Sequence, residues 1–168
     1  MINLDDKKNY QLNTDQQPVL QSIKSYPLQL KQAFEEILRI NLPEKFYWPK
    51  KILVCGMGGS RFPSLIIKNL YKESFRGVYE INDDYRLPSW VDKDTLVVLS
   101  SYSGTTEEVV NAYHLAKKSK ALVFSISLGG ELKNLSEQNG DLGYFFNPIY
   151  NPSKQPRIGV GYLLGSHL

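Results

Sequence analysis

Two short stretches of the chain concentrate groups able to hold an anion. "SSYSGTTEE" (Ser100–Glu108) places six hydroxyl side chains in nine residues and contains no lysine or arginine. "GMGGS" (Gly56–Ser60) puts three glycines beside the Ser60 hydroxyl. Neutral hydroxyl donors between a strand end and a helix start suit a phosphate monoester. The free N–H groups and positive dipole end of the helix add to them. Glycines let the backbone turn sharply and approach a ligand closely. Each stretch also has a plainer reading. "GMGGS" serves equally as a tight strand–helix turn. Thr105 followed by Glu108 matches a capping box, with Thr105 as N-cap, inside an ordinary polar loop. The spacing in "GMGGS" is not G-x-G-x-x-G, because Arg61 stands where the third glycine would be, and this disfavours a nicotinamide cofactor.

The elements that must position these stretches follow from periodicity. A helix is predicted over about 27–39, with Leu30, Ala33, Phe34, Ile37 and Leu38 on one face, Ser25 as N-cap and Pro27 in the first turn. Apolar runs predict strands over 52–55, 77–83, 95–101, 121–127 and 143–147. Helices are predicted over 64–72, 107–120 and 131–138. In the 107–120 helix, Val109, Ala112, Tyr113 and Ala116 share a face, and lysines crowd the C-terminal end. Strands apolar throughout, alternating with helices, predict an α/β fold: a three-layer αβα sandwich on a five-stranded parallel sheet. Ligands of such sheets sit beyond the carboxyl ends of the strands, near the point where the strand order reverses.

Length and composition set further bounds. The 168 residues, 42% hydrophobic and 22% charged, suit one domain. The expected organisation is a flexible N-terminal arm over 1–21, the domain proper over 22–147, and a C-terminal segment over 148–168 leading toward a further domain. The single cysteine, Cys55, excludes an intrachain disulfide and fits a reducing cytoplasm. No run approaches the roughly 18 apolar residues of a membrane span. The net charge of +3 comes from dispersed lysines, so nucleic acid is not the expected partner.

"GMGGS" and "SSYSGTTEE" resemble the signature loops of the sugar isomerase (SIS) domain, whose fold is flavodoxin-like. "SIKSYPLQLKQAFEE" (Ser22–Glu36), "NDDYRLPSWVDKDTLVV" (Asn82–Val98) and "PRIGVGYLLG" (Pro156–Gly165) are similar to elements of the bifunctional phosphoglucose/phosphomannose isomerase family. The similarity runs from about Ser22 to Gly165.

The resemblance implies roles. Ser101, Ser103 and Thr106 would hold the phosphate of a hexose 6-phosphate, and Gly59 and Ser60 would contact the sugar near its reacting end. Arg157 would be catalytic, stabilising the enediolate formed as a proton moves between C1 and C2, a step that needs no metal or organic cofactor. The family implies a cytoplasmic aldose–ketose isomerase joining glucose 6-phosphate or mannose 6-phosphate to fructose 6-phosphate, as a homodimer. The alternative is a non-catalytic, sugar-phosphate-sensing regulatory SIS module. Two departures stand out. Arg61-Phe62-Pro63 replace the family's small residues, where Arg61 either adds a charge for phosphate or crowds the sugar. The family's glutamate base and its ring-opening histidine have no counterpart in this chain, so the expectation for the chain alone is sugar-phosphate binding with little turnover.

Overall fold

The computed structural model describes residues 17–168. Most of the expected N-terminal arm lies outside the described residues. Its last part is not an arm, because Gln17–Lys24 form helix α1. Helix α2 (Tyr26–Ile37) follows, with Ser25 at the N-cap position but no side-chain cap bond, and Pro27 in the first turn.

The chain then alternates. Strand β1 (Lys51–Gly56) leads to α3 (Phe62–Leu70) and β2 (Val78–Asn82). Strand β3 (Thr95–Ser100) leads to α4 (Glu107–Lys118), and β4 (Leu122–Ser127) leads to α5 (Gly130–Asn139) and β5 (Leu142–Phe145). The five strands are parallel in the order β2-β1-β3-β4-β5, as expected of a flavodoxin-like sandwich. The order reverses between β1 and β3, where Gly56 pairs in register with Ser100. The two signature loops therefore leave neighbouring strand ends at the same height.

Side chains alternate across the strands, so both faces of the sheet are apolar. Leu53, Cys55, Val97, Leu99 and Val123 pack against Val109, Ala112, Tyr113 and Ala116 of α4 and Leu132 of α5. Leu96, Val98, Phe124 and Ile126 turn to the other face, where Ala33, Tyr162 and Leu163 meet them. At about 25 cal/mol per Å2 of apolar surface, these two layers are the main stabilising term.

Two expectations fail here for identifiable reasons. The predicted apolar face of α2 is displaced, because Phe34 and Leu38 are 40% and 69% exposed while Gln29 is fully buried. The Gln29 amide donates to the carbonyls of Ser22, Tyr150 and Ile158 at 3.2, 3.0 and 3.1 Å. A polar residue takes the core position because three carbonyls converge on it, and no periodicity in the local sequence records that. The C-terminal segment also carries a helix not foreseen, α6 (Val160–His167), which packs on α2 through Tyr162 and Leu163.

Candidate functional site

The crevice at the β1/β3 switch point is built from three loops. The β1 loop carries Gly59 and Ser60 in a single 3-10 turn, Gly58–Ser60, before α3. The β3 loop carries Ser101 to Thr106. The two are stitched together: the Ser100 hydroxyl donates to the Ser60 carbonyl at 3.0 Å, and the Tyr102 N–H donates to the Ser60 hydroxyl oxygen at 3.1 Å. An accepted bond leaves the Ser60 O–H free to donate to a ligand.

The β4–α5 turn is the third wall. The Leu128 N–H donates to the Tyr102 carbonyl and the Leu132 N–H to the Gly104 carbonyl, both at 2.9 Å. Gly104 holds φ +73°, and a Cβ there would lie 1.9 Å from the Gly129 carbonyl oxygen. Only glycine permits both that conformation and that approach.

The hydroxyls divide differently from the sequence expectation. Thr106, not Thr105, occupies the N-cap position of α4, and no side chain caps its first turn. The capping box is therefore absent. Thr105 instead bonds within the loop, its N–H and hydroxyl both donating to the Ser103 hydroxyl oxygen at 3.2 and 3.0 Å. Ser101 is fully buried. Its hydroxyl shares a 2.7 Å hydrogen bond with that of Thr106 and accepts the Gly104 N–H at 3.1 Å. In this geometry Ser101 braces Thr106 from behind, while Ser60, Ser103 and Thr106 are partly exposed at the crevice.

The uncapped N–H groups of α4 supply the positive potential, since no lysine or arginine lies in the loop. Arg61 pairs with Asp83, the residue after β2, so its charge is already engaged. Arg157 lies in a 3-10 turn, Pro156–Ile158, with its side chain exposed. The backbone after it returns to the crevice: Gly159 packs under the Tyr102 ring, and Val160 lies beside Gly59. The structure thus brings the loops of Gly59, Ser60, Ser101, Ser103 and Thr106 together, and the exposed Arg157 stands two residues before the Gly159 contact with Tyr102.

The SIS domain profile matches residues 45–140, which span β1 to α5 and both hydroxyl-bearing loops. The chain belongs to the SIS domain family. It is 35% identical over 145 residues to the bifunctional phosphoglucose/phosphomannose isomerase of Caldicellulosiruptor bescii, covering 86% of this chain and 41% of that protein. It is 40% identical over 115 residues to the enzyme of the same name from Thermoplasma volcanium, covering 68% and 34%. The chain therefore spans about two-fifths of the length of these relatives or less.

Solved structures share the fold at low identity. The Vibrio vulnificus NanR protein, solved with ManNAc-6P, matches with TM-score 0.60 at 18% identity over 94% of this chain and 60% of that one. The Escherichia coli CFT073 c3406 protein matches with TM-score 0.59 at 19% identity, covering 93% and 89%. Among the described residues, no helix is long and apolar enough to cross a membrane.

Three residues of the SIS crevice were not foreseen: Tyr102, Asn151 and Gly159. Asn151 is 1% exposed and donates to the Tyr102 phenol oxygen at 2.7 Å. The one sequence hint is "NPS" (Asn151–Ser153), an Asx-turn composition. An apolar cavity of about 250 Å3 lies elsewhere, under α3 and α6 against Val54 and Val98 of the sheet. Its greasy lining is unsuited to a sugar phosphate, and it lies away from the hydroxyl-bearing loops.

Proposed function

We propose that the β1/β3 crevice binds a hexose 6-phosphate. In this reading it forms the sugar-phosphate half of an aldose–ketose isomerase joining glucose 6-phosphate or mannose 6-phosphate to fructose 6-phosphate. One observation carries the reading: the uncapped N-terminus of α4 follows a loop that carries the partly exposed hydroxyls of Ser103 and Thr106 and is hydrogen-bonded to Ser60 at the switch point of the sheet. The names of the curated relatives support the substrate class.

The phosphate sits at α4, taking bonds from Ser103, Thr106 and the first-turn N–H groups. With the Ser101 hydroxyl, whose oxygen already accepts the Gly104 N–H, assigned as the donor to Thr106, the Thr106 O–H is left to donate outward. The sugar chain runs toward Gly59 and Ser60, with its C1–C2 end under Arg157. A base removes the C2 proton, C2 and C1 become an enediolate, the hydroxyl proton passes from O2 to O1, and the proton from C2 returns at C1. The Arg157 guanidinium stabilises the oxyanion in between. The two histidines of the chain do not supply the base: His114 is exposed midway along α4, and His167 lines the apolar cavity. The base is assigned to the portion of the relatives' length that this chain does not match.

Calorimetric titration with glucose 6-phosphate, fructose 6-phosphate and unphosphorylated glucose tests the binding step. Binding of both phosphates without glucose, weakened about tenfold or more in Ser103→Ala, is the expected outcome. Equal binding of glucose, or no binding of either phosphate, overturns the reading.

A further inference from the structure

Tyr102 stands between Ser101, the brace behind Thr106, and Ser103, assigned to the phosphate, yet its side chain points into the protein and is 4% exposed. Four attachments meet at this residue. Its N–H holds the Ser60 hydroxyl, and its carbonyl accepts the Leu128 N–H. Its ring packs edge-on against Phe146 with centroids 5.4 Å apart. Its phenol oxygen accepts the Asn151 amide at 2.7 Å.

Asn151 extends the connection. The same amide nitrogen donates to the Gln155 carbonyl at 3.0 Å, and Oδ1 accepts the Ser153 hydroxyl at 2.7 Å. The Lys154 N–H donates to the Asn151 carbonyl at 2.9 Å, closing the turn. That turn ends where the 3-10 turn bearing Arg157 begins. Two residues later the chain returns to Tyr102: a Cβ on Gly159 would lie 2.1 Å from ring atom Cε2. The segment 151–159 therefore touches Tyr102 at both ends and carries Arg157 between them. The Arg157 guanidinium makes no hydrogen bond or ion pair among the described residues, so its backbone sets where it can reach.

We propose that Tyr102 is a positioning residue. It ties the Arg157 segment to the phosphate loop and so sets the distance between the phosphate subsite and the backbone from which the guanidinium reaches. The inference rests on the sugar-phosphate reading above and names how its two subsites are held in register. A loop 1 Å out of place costs an oxyanion stabiliser much of its effect, so such a tether matters to a transition state more than to a bound phosphate.

The test compares two ligands on the whole chain. Inorganic phosphate reads the α4 subsite alone. The hydroxamate of a five-carbon aldonic acid 5-phosphate carries the same phosphate plus a planar anion resembling the enediolate. Tyr102→Phe keeps the ring and removes the acceptor for Asn151. The expected result is a melting temperature and a phosphate Kd changed by no more than a few degrees and about twofold, with the hydroxamate Kd raised about tenfold. Adding Tyr102→Phe to Arg157→Ala should then weaken the hydroxamate no further, as coupled residues require.

Equal weakening of both ligands, additive effects with Arg157→Ala, or no change in either ligand would overturn the proposal. If the wild-type chain binds phosphate and hydroxamate but Tyr102→Phe matches it, only this inference fails. If the wild-type chain binds neither, the sugar-phosphate reading fails and takes this inference with it.

Discussion

The hydroxyls of Ser101 and Thr106 share a hydrogen bond of 2.7 Å across the β3–α4 loop, with Ser101 wholly buried and Thr106 at the crevice. In the proposed orientation the Thr106 oxygen accepts a hydrogen bond from Ser101, and its own O–H is free to donate forward. Ser101→Ala removes the brace without opening a large cavity. Phosphate affinity should fall about tenfold, near 1.4 kcal/mol, with only a small change in melting temperature. Titration with inorganic phosphate measures it. A Kd indistinguishable from wild type would show that Thr106 needs no brace.

Gly104 gives a sharper stability prediction. Its φ of +73° and the 1.9 Å approach of a notional Cβ to the Gly129 carbonyl leave no room for a side chain. Gly104→Ala should destabilise the protein by more than about 2 kcal/mol and detach the phosphate loop from the β4–α5 turn. Urea unfolding reads the first effect and phosphate titration the second. A stable variant with intact affinity would mean that the turn relaxes at little cost.

The sheet was legible because its strands are apolar on both faces and separated by helices of ordinary length, as in "TLVVLS" and "ALVFSIS". The α4 face was legible too: Val109, Ala112, Tyr113 and Ala116 follow the helical period and are all buried. The inward position of Gln29 was not, because it depends on carbonyls from Ser22, Tyr150 and Ile158, the last two more than 100 residues away. Thr105 mimicked an N-cap because the spacing to Glu108 is right. The actual loop runs one residue further, since Ser101 claims Thr106. Tyr102 was hidden for the same reason, as its role is defined by Asn151 and Gly159 across the crevice.

Cys55 should be inert while the protein is folded. It is 2% exposed near the C-terminal end of β1, and burial pushes its thiol up to about 12, partly opposed by a hydrogen bond with Asn82. The thiolate is the reactive form and is scarce at neutral pH. Alkylation by iodoacetamide at pH 8 should be undetectable in the native protein and rapid in urea. Prompt native labelling would show that β1 opens or that the thiol is reachable.

His167 should make stability fall in mild acid. Its Nδ1–H donates to the Leu163 carbonyl at 2.6 Å, and Nε2 is buried without a partner among the described residues. Burial pushes the imidazole down to about 4, with the Leu163 bond opposing, against 6.5 for the free side chain. The unfolded chain therefore takes up a proton as pH drops below 6.5, while the folded chain does so only near 4. The stability this group contributes is complete above 6.5 and is lost on the way down to 4, by at most about 3 kcal/mol. Urea unfolding of the wild type and of His167→Phe across that range measures it. The wild type should lose stability relative to the variant as pH falls. A gap between the two that stays constant with pH would show that His167 is solvated in the folded protein.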